Sequence, residues 1–162
     1  MDTRNKILPL DRLAPEIADR KNRGERIVLA NGCFDVLHVG HARYLQGARQ
    51  EGDVLIVAVN GDKSVRALKG EGRPVLTADA RARLVAGLAA VDYVVVFEEP
   101  DVTHLLSTLR PDVHAKGTDY TADTVPERET ARRLGVRIAI VGDPKQHSTR
   151  DLLARLRASS HA

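Results

Sequence analysis

The chain has 162 residues, of which 43% are apolar and 3% aromatic, with one cysteine and a formal net charge of +3 at pH 7. This length suits one domain with an aliphatic core, the single cysteine excludes an intrachain disulfide, and no apolar run approaches the ~20 residues of a membrane-spanning helix. The charge forms no basic tail and the start leads into no apolar segment, so we expect a cytoplasmic protein with no nucleic-acid or membrane partner.

The first 24 residues are predicted to form an extension and a helix that covers one face of a sheet. Apolar residues recur there at spacings of three and four, which is typical of an amphipathic helix. Asp11 is its predicted N-cap and Gly24 its predicted stop. We therefore divide the chain into an N-terminal extension, residues 1–24, and a main domain, residues 25–162.

Strands and helices are predicted to alternate through the main domain. Short β-branched or continuously apolar runs predict five strands, at residues 26–30, 53–60, 93–97, 112–115 and 136–141. Helical spacing and capping residues predict helices that begin near residues 39, 77, 101, 124 and 148. Residues 61–75 are predicted to form a surface loop, because glycines, a proline and charges crowd its second half.

This alternation predicts an α/β fold, with a Rossmann-like parallel sheet of five strands and helices on both faces. In such sheets, ligands bind at the carboxyl ends of the strands. Four polar clusters follow predicted strand ends, at residues 31–41, 60–62, 116–120 and 143–149. We therefore expect these clusters to converge on one active-site crevice.

The stretch His38-Val39-Gly40-His41 lies where a predicted strand gives way to a helix. A helix start presents backbone N–H groups and the positive end of its dipole, so it attracts anions. Gly40 would let a phosphate approach the backbone, and two imidazoles on one face of the turn could donate hydrogen bonds to it. Two alternatives stay open: the histidines could simply cap the helix, or could bind zinc, although further ligands are not evident.

The stretch Gly32-Cys33-Phe34-Asp35, followed by His38-Val39-Gly40-His41, resembles the signature of the cytidylyltransferase-like nucleotidyltransferase superfamily. Later segments resemble one branch of it, the D-glycero-β-D-manno-heptose 1-phosphate adenylyltransferases of ADP-heptose synthesis. These segments are residues 69–75, 90–94, 116–120 and 147–149. The His-Gly-His signature indicates only the superfamily, whereas the ordered set of later segments indicates the branch.

The resemblance implies that ATP and heptose 1-phosphate react to give ADP-heptose and pyrophosphate, for the core of lipopolysaccharide. It also implies a homodimer and a separate heptose kinase upstream, since a kinase domain would not fit in 162 residues. Mg²⁺ is expected from triphosphate chemistry. A sugar phosphate is already anionic near pH 7, so the site needs charge neutralisation and in-line positioning rather than a strong base.

The resemblance also implies roles for individual residues. The implied catalytic residues are His38, His41 and Lys69, a loop lysine that closes over the phosphates. The residues expected at the nucleotide are Gly32, Cys33, Phe34, Asp35, Gly40, Arg81, Ser148 and Thr149. The residues expected at the sugar phosphate are Asn60, Asp62, Lys116, Asp119 and Tyr120. None is assigned as a metal ligand.

Several of these roles have ordinary alternatives. Asp35 could orient Mg²⁺ or a histidine, or could cap the turn after its strand. Cys33 could be a small packed side chain, because no step of the reaction needs a thiol. Lys69 and Arg81 could be solvated surface charges, and Ser148 could cap its helix while also binding phosphate.

One position departs from the related glycerol-phosphate cytidylyltransferases, which carry an arginine where this chain has Asp143. Lys145 could supply the charge instead. The departure weakens, but leaves open, the interpretation as a cytidylyltransferase for a small phosphorylated alcohol such as glycerol 3-phosphate. A non-catalytic nucleotide-binding protein is the alternative from another class. It is disfavoured because His38, His41 and Lys69 occur together.

Overall fold

Five parallel strands form one sheet in the order β3-β2-β1-β4-β5. The computed structural model describes residues 2–144 and 148–161. The strands are β1 (Ile27–Gly32), β2 (Val54–Asn60), β3 (Tyr93–Phe97), β4 (Val113–Gly117) and β5 (Arg137–Val141). The central strands β1, β2 and β4 are almost wholly buried, as expected when helices cover both faces. The predicted α/β fold with five parallel strands is confirmed.

Seven α-helices in the described part of the chain cover the sheet. They are α1 (Leu10–Asn22), α2 (Val39–Arg49), α3 (Asp62–Lys69), α4 (Ala78–Ala86), α5 (Thr103–Leu109), α6 (Arg128–Leu134) and α7 (Thr149–Ser159). None of the helices built from residues 2–144 and 148–161 is both long and apolar enough to cross a membrane.

Side chains that alternate along the strands divide the core into two clusters. Val28 and Ala30 of β1 pack with α2 and α4, on what we term the α2 face. Ile27 and Leu29 pack with α1, α5 and α6, on the α5 face. This alternation decides on which side of the sheet each polar residue at a strand end projects.

The N-terminal segment packs onto the sheet. Leu8 N–H donates to the carbonyl of Val94 at 3.0 Å, and Leu13 and Ile17 of α1 are fully buried in the core of the α5 face. The helix is capped by Pro9 without a side-chain hydrogen bond, so the prediction of Asp11 as N-cap is wrong. The division of the chain at residue 24 stays a prediction.

The prediction of a loop at residues 61–75 is wrong in its first half, where α3 lies. This helix is only eight residues long, it runs directly into the glycine-rich stretch, and it buries Ser64 and Val65. It is joined to α4 by a hydrogen bond from Ala78 N–H to Asp62 Oδ1 at 2.9 Å. The remaining loop, residues 70–77, begins at Gly70, whose φ is +92°.

Capping residues locate two of the later helices correctly. Thr77 Oγ1 accepts from Ala80 N–H, and Ser148 Oγ accepts from Asp151 N–H. The capping box predicted at residues 124–127 is wrong, because α6 begins at Arg128 without a side-chain cap. The preference of Thr124 for a local turn prevails there.

The sheet has a switch point between β1 and β4. The chain runs outward through β2 and β3 on one side of β1, then crosses to β4 and β5 on the other. β1 pairs with β4 only over Val28–Ala30, so the ladder ends before Asn31. The loops that leave these two strands diverge, and such a point is where open α/β sheets bind ligands.

Candidate active site

The loop between β1 and α2 has a strained backbone that places an aromatic ring beneath the histidine pair. Phe34 and Val36 have φ angles of 49° and 57°, a region that costs non-glycine residues about 1 kcal/mol or more each. Phe34 is buried, with its ring 5.3 Å from that of His41. A Cβ on Gly32 would lie 3.1 Å from the Phe34 ring, so glycine gives the ring room. Direct contact of Gly32 and Phe34 with a nucleotide stays a prediction.

His38 and His41 cap the start of α2 through their Nδ1 atoms. His38 Nδ1 accepts from Gly40 N–H at 3.1 Å, and His41 Nδ1 accepts from His38 N–H at 3.2 Å. The two rings stack with their centroids 3.8 Å apart. A neutral imidazole whose Nδ1 accepts a hydrogen bond carries its proton on Nε2. Capping uses the Nδ1 edge of each ring, and the Nε2–H donor lies on the opposite edge. Capping and phosphate binding are therefore compatible.

The Gly40 N–H donates to His38 Nδ1. The expectation that Gly40 lets a phosphate approach the backbone stays a prediction. The backbone of this helix start thus sets the histidine tautomers, and contact of the imidazoles with a phosphate stays a prediction.

Asp35 anchors the loop at residues 70–77. Its side chain is fully buried and accepts hydrogen bonds from Arg73 Nε at 2.8 Å, Val75 N–H at 2.8 Å and Leu76 N–H at 3.0 Å. Burial alone would raise the pKa of Asp35, but these donors lower it further than burial raises it, so the net pKa lies below its ordinary value. Both carboxylate oxygens thus hold the loop, and a role of Asp35 towards Mg²⁺ stays a prediction.

Replacing Asp35 by asparagine should lower the free energy of unfolding by about 2–4 kcal/mol near neutral pH, because an amide nitrogen would face the donors of the loop. The folded-state pKa is depressed, so the contribution of Asp35 is present above about pH 4 and is lost as the pH falls through the depressed value. Urea denaturation at several pH values should show the gap between the two proteins narrowing in acid.

Asp79→Asn is a matched control, because Asp79 pairs with Arg83 on the exposed face of α4. It should change stability by less than about 1 kcal/mol. A D35N protein as stable as D79N would contradict the anchoring role.

Arg81 is fully buried and joins the ends of two strands to the loop. Its Nη1 donates to the carbonyls of Cys33 at 2.7 Å and Asn60 at 2.5 Å. Its Nε donates to Leu76 O and its Nη2 to Asp62 Oδ1, both at 2.9 Å. The alternative of a solvated surface charge is therefore wrong for Arg81, while its contact with a nucleotide stays a prediction.

Asn60 and Asp62 lie at the carboxyl end of β2, and both are hydrogen-bonded to neighbouring helices. Asn60 Nδ2 donates to Ser64 Oγ at 2.8 Å. Asp62 Oδ1 accepts from both Ala78 N–H and Arg81. These contacts position α3 and α4 beside the crevice, and a direct contact of Asn60 or Asp62 with substrate stays a prediction.

Lys69 is the last residue of α3 and is exposed. It is followed by Gly70 and Gly72, which have φ angles of +92° and +79°. Burial raises the pKa of the Cys33 thiol, and the nearby charges of Lys69, Arg81 and Arg73 oppose that rise. Lys69 therefore lies near the β1–α2 loop, and Cys33 has the raised pKa of a packed rather than a nucleophilic cysteine.

Lys116 is a buried cation at the end of β4, with 6% of its surface exposed. Among the described residues, its ammonium contacts the ring of Tyr120, 4.5 Å from the ring centroid, rather than a carboxylate. Burial lowers the pKa of Lys116, and the charges of Glu127 and Asp119 oppose that shift. Asp119 is exposed in the following turn. A desolvated ammonium beside a ring suits an anionic ligand.

The start of α7 lies against the loop that precedes α2. Thr149 Oγ1 donates to the carbonyl of Asp35 at 2.6 Å, while Ser148 caps α7. Asp143, the position that departs from the glycerol-phosphate enzymes, pairs with Arg43 of α2 at 3.2 Å. The predictions for Lys145 and His147 lie outside the described residues.

Three residues that the sequence reasoning did not assign meet where the β1–β4 ladder ends. The Tyr44 hydroxyl donates to Ala115 O at 2.8 Å, and His114 Nε2 lies 3.0 Å from Asn31 Oδ1. The available signals were a polar residue directly after an apolar strand and a histidine inside a short apolar run.

Over residues 2–144 and 148–161, no group of three or more histidine, cysteine or acidic side chains is placed to hold a metal ion.

A histidine pair at a helix start, beside the switch point of a parallel sheet, is typical of an α/β protein that binds an anionic ligand. A family model for cytidylyltransferase-like proteins matches residues 29–160. The chain belongs to this family and is a nucleotidyltransferase.

Curated relatives share most of this chain. The bifunctional protein HldE of Geobacter sulfurreducens is 46% identical over 151 residues, which cover 93% of this chain and 31% of the relative. HldE of Azotobacter vinelandii is also 46% identical over 151 residues, covering 93% and 32%. The chain thus spans about a third of the length of these relatives.

A solved structure is similar as well. The crystal structure of the lipopolysaccharide core biosynthesis protein from Thermoplasma volcanium has a TM-score of 0.63 and 28% identity, covering 75% of this chain and 100% of that chain.

Proposed function

We propose that the chain transfers AMP from ATP to D-glycero-β-D-manno-heptose 1-phosphate, giving ADP-heptose and pyrophosphate for lipopolysaccharide synthesis. The observation that carries the proposal is the double capping of α2, which sets two Nε2–H donors, on His38 and His41, side by side at a helix start. Similarity to HldE proteins over nearly the whole chain supports the choice of substrates.

The geometry suits phosphoryl chemistry. An oxygen of the sugar phosphate attacks the α-phosphorus of ATP, and the bond from that phosphorus to the oxygen bridging to the β-phosphate breaks, releasing pyrophosphate. Negative charge grows on the α-phosphoryl and leaving oxygens, where His38 and His41 donate hydrogen bonds and the dipole of α2 adds a positive field. The attacking phosphate is already ionised near neutral pH, so no side chain has to remove a proton.

MgATP is the expected form of the nucleotide substrate. Mg²⁺ prefers phosphate oxygens and water to a dedicated protein cage. We therefore expect the ion to arrive on the triphosphate. Asp35 keeps the base of the 70–77 loop in place, so that Lys69 can close over the phosphates on its neighbouring glycines.

The positions of the strand ends support our assignment of the remaining contacts. The nucleotide lies between the β1–α2 loop and the start of α7, with Ser148 and Thr149 on the far wall. The sugar phosphate lies beside β4, where Lys116 supplies the positive charge and Asp119 and Tyr120 border it. On the basis of the family resemblance, we also expect a homodimer, a cytoplasmic location and a heptose kinase activity that supplies the acceptor.

Pyrophosphate release, measured with four nucleoside triphosphates against several phosphorylated acceptors, tests this function. We expect turnover with ATP and heptose 1-phosphate. Fast turnover with CTP and glycerol 3-phosphate, and none with the proposed pair, would overturn it. Nucleotide binding without turnover of any pair would instead identify a non-catalytic binding protein.

Replacing Lys69 by alanine should reduce kcat by about 10²-fold, because one charged donor to the transition state is lost. ATP affinity should change little, since Lys69 is exposed at the end of α3 and the histidines stay in place. Lys63→Ala, on the exposed first turn of α3, is the matched control and should retain full turnover. Unaltered turnover in K69A would show that Lys69 takes no part in the reaction.

A further inference from the structure

Asn31 lies at the point where β1 and β4 part. The ladder joins residues 28–30 to residues 113–115 and goes no further. On the α2 face, the hydroxyl of Tyr44 enters the gap, where it donates to Ala115 O at 2.8 Å and accepts from Asn31 N–H at 3.4 Å. The backbone of Asn31 is therefore held at the switch point of the sheet.

On the opposite face, His114 holds the side chain of Asn31. His114 is fully buried, and its Nε2 lies 3.0 Å from Asn31 Oδ1. Burial, with a smaller contribution from the charge of Lys116, lowers the pKa of His114 to about 3, so the ring is neutral near pH 7. Its Nδ1 has no hydrogen-bond partner among the described residues.

These facts fix the direction of the Asn31 amide. With His114 Nε2–H donating to Oδ1, the unpaired Nδ1 is an acceptor. The reverse arrangement would bury an unpaired Nδ1–H donor, and folded proteins contain orphaned N–H donors less often than unused acceptors. The amide nitrogen of Asn31 therefore points away from His114. It makes no hydrogen bond within the described part of the chain, and it is not fully buried.

The surroundings of this amide suit a phosphate. Lys116 follows His114 by two residues, so it lies on the same face of β4 and adds a buried ammonium. Amide N–H donors beside a desolvated cation match the oxygens of a phosphate monoester.

The placement also suits an in-line reaction. His38 and His41 begin α2, which packs on one face of the sheet, whereas Asn31 and Lys116 project on the other. In-line displacement needs the attacking and leaving oxygens on opposite sides of the phosphorus. We propose that Asn31 binds the phosphate of the acceptor substrate through its amide nitrogen, and that His114 is the positioning residue that orients this amide. The inference rests on the proposed function, since it assumes a phosphorylated acceptor.

Asn31→Asp tests the binding role, because it keeps the shape of the side chain but replaces a donor by an anion. We expect the KM for heptose 1-phosphate to rise by about 10²-fold, with the KM for ATP unchanged within about threefold. Asn31→Ser removes the donor without adding charge, and should raise the same KM by about tenfold. A KM for ATP that rises instead, or two unchanged KM values, would overturn the proposal.

Two substitutions at His114 test the positioning role. His114→Leu removes the donor that holds Oδ1 and should raise the KM for the acceptor by about tenfold, whereas His114→Gln can donate to Oδ1 and should restore it. A merely structural role would affect stability and both KM values together. If H114L does not fold, equal acceptor KM values in H114Q and the wild type still support the proposal, and a raised value in a stable H114Q contradicts it.

A failure of the Asn31 proposal can be distinguished from a failure of the proposed function. If the wild type turns over a different phosphorylated acceptor, the sugar assigned under the proposed function is wrong, and the same KM comparison with that acceptor tests Asn31. If it turns over none, calorimetric titration with heptose 1-phosphate and with glycerol 3-phosphate decides. Binding by the wild type that is lost in N31D supports the site, and equal titrations of the two proteins overturn it.

Discussion

Replacing His41 by alanine should lower kcat/KM by about 10²–10³-fold, which is the usual effect of losing one donor to a developing phosphoryl charge. The substitution also removes a cap, since His41 Nδ1 accepts from His38 N–H, and should cost about 1 kcal/mol of stability. Initial rates of pyrophosphate release and urea denaturation measure the two effects separately.

His41→Asn separates the two roles of the side chain. The asparagine carbonyl can still accept from His38 N–H, but its amide does not reach the position of Nε2. We expect H41N to regain the stability that the alanine variant loses, while being as inactive as that variant. Full turnover by H41N would show that the cap, and not the Nε2–H donor, is what the reaction needs. His104→Ala, on the exposed face of α5, is the control and should be fully active.

Replacing Arg81 by methionine should lower the free energy of unfolding by about 3–5 kcal/mol, the largest stability effect that we expect at the site. The guanidinium satisfies the carbonyls of Cys33, Asn60 and Leu76 in a fully buried position. Methionine fills a similar volume but leaves these acceptors unpaired. Chemical denaturation monitored by circular dichroism measures the loss.

Arg83→Met is the matched control, because Arg83 lies two residues further along α4 with its side chain 57% exposed. It should cost less than about 1 kcal/mol. Arg81→Lys should fall between the two, since a single ammonium cannot reach acceptors arranged around a planar fork. Equal stabilities of R81M and R83M would mean that the buried hydrogen bonds of Arg81 contribute no net stability to the fold.

The pattern of the sequence predicted the sheet better than the helices. Each strand is a short apolar run with its own boundaries, and burial on both faces makes such runs continuous. Helix α3 was missed because its eight residues run directly into a stretch rich in glycine and charge, which is typical of a loop. Thr124 was misassigned because a capping side chain serves a turn and a helix start equally well.

The histidine pair could be found in the sequence because its residues are near each other in the chain. Their spacing and the strand before them are visible without a structure. The partners of Arg81 and Asp35 could not be found that way. Arg81 binds carbonyls that precede it by 48 and 21 residues, and backbone carbonyls carry no sequence signal.

The chain by itself determined the alternation of strands and helices, and with it the strand ends where the site lies, because local spacing and apolar burial follow directly from residue type. Only the tertiary structure decided which edge of each histidine caps α2, that Arg81 is internal, and that His114 meets Asn31. Those outcomes depend on contacts between residues up to 83 positions apart. Such contacts exist only once the sheet order β3-β2-β1-β4-β5 has brought β1 and β4 together.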